Sequence, residues 1–423
     1  MIQSSKHIAV ILIVLLSTSF TISFADNIGG SSYSRYGLGD VRYFSTARSA
    51  GMGGAGIAVL SNQSIDRVNP AAWSRINRTR FSVNAMYEGF SSSDDNGSLR
   101  LGKTHFNGLS LAIPVEKDHG IVFSAGVAPY SKVNYHIVTP STQGSLSYTL
   151  KYLGDGGLSL AHIGISGSIG NNFHLGTKLN YYFGSINHTV TQTFTTTDFT
   201  TAEVTRATRF SGIGMTVGGV YSGLKNMFNL DEGSSFNLAV VFSTTSNPTL
   251  TEERFSTFNS GTVIARDTIT FPDGKVRIPF SVTAGLAYQS EKITVAADVA
   301  FQKWGDFTIN GSALSDVRDS YRFGTGIELL PKKEPSAPFT QRIAYRVGFS
   351  YNASYYQIKG TSINEFGLTG GFGIPLFADT RLGIAAEYSF RGTTDLQLQK
   401  DRILRISLTL DIGELWFIHP PEE

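Results

Sequence analysis

The chain has 423 residues, with 35 Lys and Arg against 33 Asp and Glu, and a formal charge of +2 argues against a nucleic-acid partner. Cysteine is absent, which removes disulfide frameworks, thiolate metal sites and cysteine nucleophiles together. Charged residues are 16% and the 45 glycines are about 11%, against roughly 25% and ~7% in an average soluble domain, while apolar residues are dispersed singly; this excludes a helical membrane protein and points to β-structure with many turns.

The first predicted element, residues 1–25, is a signal peptide. Lys6 and His7 precede an apolar run from Ile8 to Leu16, and Ser23-Phe24-Ala25 places small residues where a signal peptidase reads, so cleavage is expected after Ala25. The run is too short to span a membrane stably, and no stop-transfer segment follows. The triplets Asn77-Arg78-Thr79 and Asn96-Gly97-Ser98 fit glycosylation acceptors and are read here as turn chemistry.

Residues 26–78 carry the most specific residues. They include Asp40 within Ser34-Arg35-Tyr36-Gly37-Leu38-Gly39-Asp40, then a run through Arg48, Gly51, Met52, Gly53, Gly54 and Gly56, then Asn69-Pro70-Ala71-Ala72-Trp73. Gly51, Gly53 and Gly56 match G-x-G-x-x-G, but a dinucleotide fingerprint needs a buried strand before it and a helix and acidic residue after it. Neither context is present. Clustered glycines instead let a backbone pass through a crowded place with positive φ.

From Thr79 onward the chain alternates apolar and polar residues in segments of about ten, the period of a strand with one greasy and one wet face. Phe173, Leu175, Leu179 and Tyr181 share a face opposite His174, Lys178 and Asn180; Leu404, Ile406 and Leu408 oppose Arg405 and Thr409. Fourteen strands are expected, over 79–90, 105–115, 120–130, 158–169, 172–186, 210–221, 235–243, 277–288, 292–301, 321–330, 342–351, 364–374, 381–390 and 402–412. Charges of both signs fall on the wet face by parity: Glu88, Lys178, Asp298, Arg322, Glu328, Arg342, Arg346, Arg381, Glu387 and Arg405. Such networks are mostly structural, and Arg48 and Asp40 are natural partners for them.

Alternation alone suits a soluble sandwich as well as a membrane barrel. The links discriminate. They are tight at 116–119, 170–171 and 289–291, and long and polar at 131–157, 187–209 and 244–275, as in an outer-membrane barrel with short periplasmic turns and long external loops. This parity places both termini in the periplasm. The links 222–234 and 331–338 are long for turns. Leu415-Trp416-Phe417 has the character of an interfacial aromatic anchor for the barrel-assembly machinery during insertion, with 418–423 as a tail beyond it.

The Arg-Ser-Ala-Gly-Met-Gly-Gly-Ala-Gly run after a signal peptide, followed by Asn-Pro-Ala and a string of amphipathic strands, resembles the FadL/TodX superfamily of outer-membrane hydrophobic-compound transporters. The leading Tyr-Ser-Arg-Tyr-Gly-Leu-Gly-Asp is similar to its Bacteroidetes-type members. The resemblance implies an all-β fold: a transmembrane antiparallel barrel over 79–417, with a plug (hatch) over 26–78 in its lumen built on Arg48, Gly51, Met52, Gly53, Gly54, Gly56, Asn69 and Pro70. It also implies that a greasy ligand captured outside leaves sideways into the bilayer at an inward kink of the third strand. Gly126, Pro129 and Tyr130 are the candidates for that gate, because Pro129 cannot donate to a ladder; Pro129 could equally just end the strand. Tyr135, Tyr148, Tyr152, Phe194 and Phe199 are candidates for external capture, or for packing the loops together.

Enzymatic readings lack support. The histidines show no H-E-x-x-H spacing and no G-x-S-x-G elbow occurs, so no catalytic residue, metal or cofactor is expected. The expected protein is a monomeric Gram-negative outer-membrane channel for hydrophobic small molecules, long-chain fatty acids or aromatic hydrocarbons, in contact with outer-membrane lipid. The alternative is a structural or docking barrel associated with protein secretion or surface attachment.

Overall fold

The computed structural model describes residues 30–43, 46–95, 97–196, 199–259, 264–332, 334, 336–377 and 379–414. The signal peptide, its cleavage site, the Leu415-Trp416-Phe417 anchor and the 418–423 tail lie outside the described residues.

Fourteen antiparallel strands form the wall. They are β1 (Thr79–Asp94), β2 (Gly97–Glu116), β3 (Ile121–Pro129 continued by Ser131–Gln143), β4 (Leu146–Ile169), β5 (Phe173–Phe194), β6 (Thr201–Tyr221) and β7 (Ser235–Ser243 continued by Thr249–Asn259). After them come β8 (Ile264–Thr270, Gly274–Arg277 and Ser281–Gln289), β9 (Ile293–Gln302), β10 (Ser320–Leu329), β11 (Ala344–Ile358), β12 (Thr361–Pro375), β13 (Arg381–Gly392) and β14 (Lys400–Glu414). Each pairs with its sequence neighbour, and β14 returns to β1 from Thr79↔Glu414 to Ser93↔Lys400, which closes the ring. All fourteen expected segments fall on these strands.

Burial decides which face is which. Along β5, Phe173, Leu175, Leu179 and Tyr181 are exposed while His174, Lys178 and Asn180 are buried; on β12, Leu368 is 66% exposed, and on β10, Glu328 is 2%. Greasy residues therefore point out and charges point in, the reverse of a soluble sandwich. The outward apolar run on β5, from Phe173 to Tyr181, is close to the length of one tilted crossing.

The long links are not loops. Residues 131–157 continue β3 and β4 to a turn between Gln143 and Leu146, 187–209 continue β5 and β6, and 244–275 hold further strand of β7 and β8. The reason is chemical: these stretches are rich in Thr and Val, good strand formers, but are polar on both faces, so the greasy alternation fades although the ladder goes on. They form one sheet projecting beyond the apolar belt. The 222–234 link contains a short helix, Leu224–Met227. Arg342, expected on the wet face, instead ends a 3-10 turn (Phe339–Arg342) just before β11.

The N-terminal segment runs between the two ends of the barrel. Around Gly30 it touches the end that carries the long hairpins: Ser31 Oγ donates to Asp401 (2.6 Å) and Ser34 Oγ to Asn134 O (3.1 Å). Its last turn, Pro70–Arg75, sits at the opposite end, where Ser74 Oγ meets His174 Nδ1 (2.9 Å). The described N-terminal residues thus begin at the hairpin end; both termini themselves lie outside the described residues.

Candidate functional site

A short helix, α1 (Ala47–Gly51), opens the glycine run. Thr46 caps it in a reciprocal box with Ser49, satisfying donors that the first turn would leave free. Ala47 N–H donates to Thr409 Oγ1 of β14 (2.7 Å), and Ala47 and Ala50 pack on Ala385 of β13. Beyond α1, Thr369 of β12 donates to Gly51 O (3.1 Å) and accepts from Gly53 N–H (3.0 Å), while Arg322 of β10 donates to Gly53 O (3.1 Å). Gly53 has φ +65° and its missing Cβ leaves room for the Phe349 carbonyl, so only glycine fits. Gly56 and Ile57 N–H both donate to Asp298 Oδ2 of β9 (2.7 and 3.1 Å).

The wall answers with glycines of its own. A Cβ at Gly324, Gly326 or Gly348 would strike the Met52–Gly53 backbone, and one at Gly176 or Gly218 would strike Pro70 or Asn69. Asn69 Oδ1 accepts from Ala71 N–H (3.0 Å) and its Nδ2 donates to Ile57 O (2.7 Å), joining the two halves of the segment. Pro70 starts the 3-10 turn where no donor is needed. These wall glycines were missed from the sequence; the available signal was glycine inside a strand, which marks a close backbone approach.

Charges hold the same contacts. Glu328 takes Arg48 (2.6 Å) and Arg346 (2.9 Å). Arg405 meets Glu88 (2.9 Å), Glu365 (2.5 Å) and Glu387 (3.2 Å), and Arg42 closes on Glu88 through both guanidinium nitrogens (2.9 and 2.7 Å). Asp40 is held by Arg391 (2.9 Å), which also grips Asp401 (3.0 Å). Arg42, Glu365, Arg391 and Asp401 were not singled out from the sequence, although strand parity places the last three inside.

Gly126, Pro129 and Tyr130 lie where β2 and β3 separate. Their ladder ends at Leu109↔Val127, while β3 continues against β4 through Pro129↔Ser159 and on to Gln143↔Leu146. The outer halves of β2 and β3 therefore do not pair. Tyr130 N–H donates to Leu158 O on β4 (2.8 Å), so the nitrogen of Pro129, one residue back, faces β2: the missing donor falls on the open side. The freed edge of β3 receives the N-terminal segment at Asp40↔Lys132 and Val41↔Ser131.

A cavity of about 220 Å³ adjoins this break. Tyr130, Leu160, Tyr182 and Phe301 line it together with Tyr43, Lys178, Asp298 and Arg322. On the hairpin side, a cleft of about 420 Å³ runs between Leu99 and Leu101 of β2 and Ile137 and Val138 of β3, over Tyr33 and Tyr36. The five aromatic capture candidates do not converge on it. Tyr135 is buried with its hydroxyl on His188 Nδ1 (2.7 Å), Tyr152 packs partly buried beside it, and Tyr148, Phe194 and Phe199 cluster at hairpin tips with ring separations of 5.9 and 5.1 Å. Among the described residues no group of three or more His, Asp or Glu could hold a metal ion.

A closed barrel of fourteen strands with greasy side chains outside and charges inside is an integral outer-membrane β-barrel in its topology. Over residues 1–420 the chain matches the BamG family, and it belongs to that family. No curated protein sequence matches it. In structure it is similar to the CymD monoaromatic hydrocarbon channel (TM-score 0.56, 15% identity, 90% of this chain and 99% of that one). It is also similar to the Ralstonia pickettii toluene transporter TbuX (0.58, 13%, 88% and 98%) and to a Pseudomonas aeruginosa FadL homologue (0.57, 12%, 88% and 98%). At these identities the likeness is one of fold.

Proposed function

We propose that the protein is a passive outer-membrane route for small hydrophobic molecules, which enter from the hairpin side and leave sideways at the break between β2 and β3. Residues 26–78 act as a plug, residues 1–25 as an export signal, and the long hairpins face outward. The observation that carries this reading is the coincidence of three features at one place: the end of the β2–β3 ladder, the turned-out nitrogen of Pro129, and a cavity reached by Tyr130. A sideways exit lets an apolar solute pass from protein to lipid without a polar lumen. A space of about 220 Å³ is large enough for a single-ring hydrocarbon and small for a long acyl chain. The likeness in fold to monoaromatic hydrocarbon and toluene channels points the same way.

The test is flux into proteoliposomes carrying the full-length folded barrel. Labelled toluene should equilibrate faster than through empty vesicles while a small sugar does not; no difference for toluene from a demonstrably folded barrel would sink the transport reading.

One observation favours a second reading, a docking barrel. The N-terminal segment is bolted to the wall by Glu328, Asp298 and the Arg405 cluster, while β3 to β8 raise a polar sheet that a protein could bind. Recovery of a stoichiometric partner that is lost on shortening the 187–209 hairpin, together with absent flux, would favour it.

A further inference from the structure

On the outer surface of β14, β1 and β2, three cations flank β1: Lys400 and Arg402 on β14 and Arg100 on β2. Ser91 of β1 pairs with Arg402 on one side and Arg100 on the other; one rung further, Ser93 pairs with Lys400 and Ser98. Directly opposed side chains share a face, with Cβ atoms about 4.5–5.5 Å apart. The burial pattern shows that this is the outward face, since Ser92, Asp401 and Ile403 between them are buried. Arg100, Lys400 and Arg402 are all exposed. Asp401 points inward onto Arg391, Ser31 and Ser92, and Asp94 accepts from Gly97 N–H in the β1–β2 turn. Among the described residues none of the three cations forms an ion pair with Asp or Glu.

The height of the patch defines its ligand. One rung toward the turn end come Leu404, Gly89 and Gly102, and Tyr87 lies over the two glycines, where a Cβ would strike its ring. On β13, Phe390 sits opposite Arg402 and packs with Phe366 and Tyr388 at ring separations of 5.1 Å. The cations therefore stand at the rim of the apolar belt on the hairpin side, above a shallow floor of glycine and leucine. Guanidinium forks and hydroxyls at that level match phosphate oxygens, and the floor below can carry acyl chains. We propose that this patch binds the phosphorylated headgroup of a glycolipid in the outer leaflet, through Arg100, Arg402 and Lys400 with Ser91 and Ser93 as hydroxyl donors. Arg100 stands on β2, itself one edge of the β2–β3 break, so a seated lipid would border that opening.

The experiment uses the full-length folded barrel in detergent and native mass spectrometry with bisphosphorylated lipid A as probe. Arg100→Gln/Arg402→Gln should weaken lipid A occupancy about tenfold or more, while Lys292→Gln, at the opposite end of the barrel, should not change it. Lipid A stripped of both phosphates should bind the unaltered protein as weakly as intact lipid A binds the double variant. Equal binding by the double variant, or by the dephosphorylated lipid, overturns the proposal. Displacement of lipid A by millimolar inorganic phosphate overturns the lipid as the source, because a small-anion site would then suffice. Should the double variant fail to fold, Arg402→Gln alone supplies the same comparison.

Discussion

Glu328 carries two opposite duties at the residue scale: it is one buried carboxylate shared by Arg48 of the N-terminal segment and Arg346 of the wall. Replacing it by glutamine keeps the shape and strands two guanidiniums in a poorly solvated interior, a loss of about 3–5 kcal/mol for a buried pair with one partner removed. The expected outcome for Glu328→Gln is a lower unfolding temperature and earlier proteolysis near Arg48, read by limited digestion; an unchanged digestion pattern would show that glycine packing alone seats the segment. The outward face obeys a different rule. Leu368 sits in the middle of the β12 crossing with 66% exposure, and an arginine on the lipid face near the midplane costs about 2–4 kcal/mol. Leu368→Arg should therefore lower the folding free energy in lipid vesicles by that amount, whereas an exposed surface in water would barely register it.

At the scale of elements, β3 is where the wall stops being regular. Its first half is locked between β2 and β4, its second half pairs with β4 and, at Ser131 and Lys132, with the N-terminal segment, and Pro129 stands at the change with its nitrogen turned away from β4. Pro129→Ala restores an N–H that β2 could accept. The expected result is a longer β2–β3 ladder, a slower toluene flux and unchanged heat resistance of the folded band; undiminished flux would remove the break from the route. The hairpins of β3 to β8 teach a related point. Their strand content is not legible from alternation, because Thr-rich, two-sidedly polar strands lack the greasy period of the crossings, yet Thr189, Thr191 and Thr193 keep the ladder.

The whole molecule is a closed ring of strands bonded to residues of its own N-terminal segment, and under the proposed function that segment is a plug that either moves or stays seated. A cysteine-free chain suits the test. A Cβ at Gly383 would stand 3.1 Å from Ala47 Cβ, a few tenths of an ångström inside the roughly 3.5–4.5 Å that a disulfide spans, so a small outward shift of α1 lets the bridge form. Ala47→Cys/Gly383→Cys should cross-link α1 to β13 on oxidation without altering toluene flux, because the proposed route passes Tyr130 on the far side of the Val41–Tyr43 stretch. A flux that falls on oxidation and recovers on reduction would mean that the segment must swing for transport.

The alternation of the membrane crossings is legible in the chain, because a crossing of about ten residues in lipid enforces a period of two, whereas the hairpin extensions beyond the belt carry no such constraint. The sequence also carried the glycine run and Asn69-Pro70, whose backbone demands are local. The tertiary structure alone decided what those residues meet. Gly176, Gly218, Gly324, Gly326 and Gly348 lie far along the chain from the backbones they admit, and Asp40 finds Arg391 only after the ring has closed. The break between β2 and β3 is likewise a matter of register between strands: Pro129 is visible in the sequence, but the side to which its nitrogen points follows from the bond between Tyr130 and Leu158, which exists only in the folded sheet.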